Sequence, residues 1–91
     1  MKITVENVQG TGVTITEIQI TEGQRIIKVS IHEGNSHTIE LEDLDSCYIG
    51  VTYIDLNNPH LPTTIKRIAP VTGCSTISLV KTNGAMTPYL I

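Results

Sequence analysis

The chain has 91 residues and 9.9 kDa, with 7 Val, 14 Ile and 13 Thr against 2 Ala and no Trp or Phe. Residues branched at Cβ lose rotamers in a helix and pack well on a pleated surface, which excludes a helical bundle; the length suits one β domain over 1–91. Nine acidic against six basic residues give a net charge of −3, and the only adjacent basic pair is Lys66-Arg67, which argues against nucleic acid and anionic membrane surfaces as partners.

Lys2 to Val8 alternates, with Ile3 and Val5 on one face and Lys2, Thr4 and Glu6 on the other. Gln9-Gly10-Thr11-Gly12 breaks this strand. Val13 to Thr16 carries its apolar residues at odd positions, whereas Glu17 to Thr21 carries them at even positions. Strand period is two, so the phase change predicts a bulge or break near Thr16-Glu17. Glu22-Gly23-Gln24 reads as a turn, and Arg25 to Ile31 returns with Ile27, Val29 and Ile31 in phase.

His32 to His37 is turn chemistry, followed by a strand from Thr38 to Glu42 and a polar link, Asp43-Leu44-Asp45-Ser46. Cys47 to Leu56 is the longest predicted strand, with Cys47, Ile49, Val51 and Tyr53 sharing the core face and Tyr48 opposite. Gly50 within it predicts a bulge or a close backbone approach. Two prolines in Asn57 to Pro62 predict a loop, since proline cannot sit in a central ladder. A short strand from Thr63 to Ala69 precedes the turn Pro70 to Gly73. Cys74 to Val80 alternates again with Ile77 and Leu79 inward. Asn83-Gly84 is the pair favoured by a type I′ hairpin, and Pro88 marks Ala85 to Ile91 as an edge strand. About seven to nine short strands at this spacing predict an all-β fold, a small antiparallel sandwich or barrel. At most Leu41 to Leu44 offers a single helical turn.

Chemistry-bearing patterns are sparse. His32, His37 and His60, with Glu33, Cys47 and Cys74, follow none of the spacings of a zinc site, which needs three or four ligands. Asp43 and Asp45, beside Glu40 and Glu42, form a D-x-D pair without the glycine and distal glutamate of an EF-hand. No metal and no cofactor is therefore expected. Ser36, Ser46, Ser75, Ser78, Cys47 and Cys74 lie in no nucleophile-elbow context, and Gly10-Thr11-Gly12 lacks the third glycine of a phosphate loop. A hydrolase would further need a Ser or Cys about 3 Å from a histidine in a cleft. The expectation is a chain that is not an enzyme. Tyr48, Tyr53 and Tyr89 are few for carbohydrate stacking. Cys47 and Cys74 permit one disulfide without demanding it, and two buried thiols are the simpler reading. Met1 to Glu6 lacks the basic-then-apolar order of a secretory leader, which leaves a cytoplasmic or virion-associated location as the expectation.

What remains is the sheet surface, rich in threonine and poor in charge. Its interior rests on 27 Ile, Val and Leu side chains with no large aromatic support, which favours burial against companions. The expectation is a non-enzymatic module that self-associates or docks into a larger protein assembly. Virion components such as capsid decoration or tail proteins are the compositional analogy. Contact would run through edge pairing and face packing of the terminal strands, at Ile3, Val5, Tyr89, Leu90 and Ile91. The alternative is a small-ligand or inhibitor-type binding module. Its loops 32–37, 43–46 and 57–62 would form a recognition surface around His32, His37, Asp43, Asp45 and His60.

Overall fold

Alternation gives each segment one apolar face, and burying those faces against one another yields eight strands among the described residues. The computed structural model describes residues 2–20, 25–40, 48–68 and 76–90, the side chains of Lys66 and Arg67 excepted. The strands are β1 (Lys2–Asn7), β2 (Val13–Ile20), β3 (Arg25–Ile31), β4 (Ser36–Glu40), β5 (Ile49–Asp55), β6 (Asn58–Ile68), β7 (Thr76–Thr82) and β8 (Ala85–Leu90). They form two four-stranded sheets, β4-β1-β7-β8 and β3-β2-β5-β6, packed as a sandwich and not closed into a barrel. All pairings are antiparallel except β1 with β7, which run parallel from Thr4 opposite Thr76 to Asn7 opposite Leu79.

The core follows the predicted parity. Ile3, Val5, Ile39, Ile77 and Leu79 from one sheet meet Val13, Ile15, Ile18, Ile20, Ile31, Ile49, Val51 and Ile68 from the other. The phase change in β2 is accommodated as expected: its pairings with β3 and β5 both shift between Ile15 and Glu17. Thr16 is the extra residue against β5, whereas against β3 the extra residue lies on β3, between Lys28 and Ile31; the Thr16 hydroxyl donates to the Thr52 carbonyl at 3.3 Å. Gly50 is a close approach, since a Cβ there would lie 2.7 Å from Gln19 Oε1 and 3.1 Å from the Ile65 carbonyl. Asn83 (φ 50°) and Gly84 (φ 80°) both turn left-handed, as a type I′ hairpin requires.

Three expectations are corrected. The strand containing Ile3 and Val5 is flanked on both sides, by β4 and β7, and both side chains are 0 % exposed. They are core, and β1 has no free edge to pair with a partner. Residues 58–62 are not a loop outside the sheet but the start of β6, the outermost strand of its sheet. Pro59 and Pro62 are tolerated because an edge strand needs no N–H on its open side, and the register jumps from Asp55–Asn58 to Tyr53–Thr63 across them. The strand after the histidine-rich turn begins at Ser36, two residues earlier than its apolar pattern suggests, because the register with β1 starts at Glu6 opposite Ser36.

One inward position of β1 is polar. Asn7 is 0 % exposed, and its Nδ2 donates to the carbonyls of Val13 (2.9 Å) and Ile31 (3.0 Å) in the facing sheet. Its Oδ1 accepts from the Thr11 hydroxyl at 2.6 Å. Its backbone N–H donates to the Asn35 carbonyl and its own carbonyl accepts from Gly34 N–H. This fixes the upper end of the sandwich, where the β1–β2, β3–β4, β5–β6 and β7–β8 connections gather.

Candidate functional site

At that upper end the inward-facing rows of both sheets finish in charge. Along β5 the inward row runs Ile49, Val51, Tyr53 and then Asp55; along β7 it runs Ile77, Leu79 and then Lys81. These last positions line a cleft of about 370 Å³ between the β5–β6 and β7–β8 hairpins, a volume within the range of small-ligand sites. Tyr53, Asp55, Val13 and Thr63 form one wall. Lys81 and Met86, paired in register, form the other with Gly84 and Ala85 at the hairpin tip. Thr11 closes the base, buried and with its hydroxyl committed to Asn7.

Local hydrogen bonds set this geometry. Asp55 Oδ1 accepts from Asn57 N–H at 2.8 Å, a side-chain turn that orients the carboxylate. Leu56 N–H donates to the Gly12 carbonyl at 3.1 Å, tying the hairpin tip to the β1–β2 loop. That loop is itself held by Glu33, whose Oε1 accepts from both Gly10 and Gly12 N–H at 2.9 Å. Glu33, weighed above as a metal ligand, thus braces the two-glycine break. Among the described residues the only ion pair is Lys28–Glu17, on the outer face of the second sheet, so Asp55 and Lys81 share the cleft without pairing.

The sequence-predicted residues fall elsewhere. His32, exposed, has Nδ1 3.3 Å from Thr14 Oγ1 and Nε2 3.4 Å from Ser30 Oγ, on the strand surface and not in the cleft. His37 is exposed on edge strand β4 opposite Val5, and His60 is exposed on β6. The connection bearing His32 and the start of β6 bearing His60 lie at the same end of the sandwich, yet neither side chain lines the cleft. Among the described residues no three His, Cys, Asp or Glu side chains gather into a metal-sized group. Asp43, Asp45, Ile91, Cys47 and Cys74 lie outside the described residues. Tyr89 and Leu90 are exposed on edge strand β8.

Sequence reasoning assigned Tyr53 to the core and passed over Asp55, Thr63, Lys81 and Met86. A signal was present: Asp55 and Lys81 are charged residues in phase with apolar rows, a pattern that marks the mouth of a sandwich where both sheets run out. That the two mouths coincide is a tertiary fact. No family model, no curated protein and no solved structure matches this chain.

Proposed function

We propose that the chain is a non-enzymatic interaction module that self-associates through the side of the sandwich bounded by β6 and β8. The supporting observation is the exposure of large apolar side chains there: Leu61 65 %, Leu56 57 %, Tyr89 48 % and Leu90 41 %. These residues sit on the two free edges that face away from β3 and β4, and on the turn joining β5 to β6. Isolated apolar residues on a surface need no explanation, but several on one side of so small a domain favour a partner. Pro59, Pro62 and Pro88 interrupt both edges, so the contact is side-chain packing and not continuous strand addition. A second copy is the natural occupant of such a side, since an isologous contact needs only one self-complementary patch and few charges to bury.

Light scattering on the whole chain tests this reading. The expected mass is a multiple of 9.9 kDa, falling toward the monomer when Leu61, Tyr89 and Leu90 are each changed to Ser, with the circular dichroism unchanged. A wild-type chain that stays at monomer mass up to high concentration overturns it.

A further inference from the structure

We propose that the cleft between the β5–β6 and β7–β8 hairpins binds a short peptide segment bearing one cationic and one carboxylate side chain, the cation against Asp55 and the carboxylate against Lys81. The inward positions preceding this pair on β5 and β7 are Ile49, Val51, Tyr53, Ile77 and Leu79. Asp55 is half-buried and Lys81 exposed, so an opposite charge brought to either gains a partly screened Coulomb attraction. Here one charge of each sign is supplied, one from each sheet, and the roughly 370 Å³ between them is left open. A ligand carrying the complementary pair engages both charges at once.

The chemistry of the walls narrows the ligand. Asp55 and Lys81 stand on strands of different sheets, whose backbones pack about 10 Å apart, and the two charges form no ion pair with each other. Two charged side chains on an extended peptide, which advances about 3.3 Å per residue, reach across. Asp55 is already oriented by Asn57 N–H, so little ordering is lost on binding. Val13 and Met86 offer apolar contact to the side chain between the charges, while Thr63 supplies a hydroxyl. This inference does not depend on self-association.

The test is a titration of the ¹⁵N-labelled whole chain with acetyl-Lys-Ala-Glu-amide, followed by NMR. Saturable shifts are expected at Tyr53, Asp55, Lys81, Gly84 and Ala85, weakening as salt is raised because the pairs are partly solvated. Acetyl-Gln-Ala-Gln-amide should bind about tenfold more weakly or not at all. Asp55→Asn keeps the oxygen that accepts from Asn57, and Lys81→Gln alters an exposed side chain. Each should lower affinity several-fold while leaving resonances outside the cleft in place. Equal binding of the neutral peptide, undiminished binding by both variants, or no saturable shift overturns the assignment, whatever the mass of the particle.

Discussion

A buried asparagine whose amide donates to two carbonyls of the opposite sheet is a polar pin through an otherwise aliphatic interior. Replacing Asn7 by Ala would leave the Val13 and Ile31 carbonyls and the Thr11 hydroxyl without their partner. Each buried group left unsatisfied costs about 1–3 kcal/mol, so Asn7→Ala should lose about 3 kcal/mol or more. Thr11→Val removes one of these bonds and should cost about 1–2 kcal/mol. Urea unfolding of the two variants checks the order; a larger loss for Thr11→Val would mean that the cross-sheet bonds are not what holds this end. Asn7 shares the parity of Ile3 and Val5, but its polarity did not announce a core position. Its partners were illegible, because they come from strands remote in sequence.

Glu17 carries the second residue-scale prediction. Its carboxylate accepts from Lys28 and, at 2.6 Å, from Gln19 Nε2. The Lys28 hydrogen bond first, and that of Gln19 second, hold its pKa below the ordinary carboxylate value. A depressed folded pKa contributes stability above the unfolded value of about 4.3 and loses it as pH falls through the lower folded value. The stability difference between wild type and Glu17→Gln should therefore be present at pH 7 and shrink below about pH 4. A difference independent of pH between 7 and 3 would show that the charge is not involved.

At the scale of elements, the central strand β5 is shaped by what Gly50 lets through. The Gln19 side chain crosses onto it, with Nε2 bonded to Glu17 and, at 2.7 Å, to Thr52 Oγ1, and with Oε1 buried beside the Gly50 backbone without a hydrogen-bond partner. Thr52 passes the chain of contacts on to Thr64 at 2.8 Å. A methyl group at residue 50 would displace an amide held at its other end, so Gly50→Ala should destabilise by about 1–3 kcal/mol. The loss should be smaller in a Gln19→Ala background, which removes the nearer clash but not the Ile65 carbonyl. Additive losses in the four-protein cycle would count against this contact. The glycine in mid-strand announced a close approach; the identity of the approaching group depended on the pairing of β2 with β5. Proline misled the reading of 58–62, because its prohibition applies to central strands and an edge strand accommodates it, as β8 does at Pro88.

For the molecule as a whole, the edges decide behaviour in solution. β6 and β8 are broken by proline, β3 carries Arg25 and Lys28, and β4 is only five residues long, all devices that discourage open-ended strand addition. The proposed association through Leu56, Leu61, Tyr89 and Leu90 should then be finite, and an oligomer that buries them would melt higher as protein concentration rises. A melting temperature that stays constant over a hundredfold range of concentration would argue for a monomer.

The sequence by itself determined the periodicity, the sandwich-or-barrel class, the bulge or break near Thr16-Glu17 and the turn at Asn83-Gly84, because each follows from the sterics of a few adjacent residues. Tertiary structure alone decided strand order. That order turned Ile3 and Val5 from a supposed contact edge into core, and it brought Asp55 and Lys81, distant in sequence, to one cleft. Alternation says which side of a strand is buried, but which neighbours bury it is set by the packing of the whole chain.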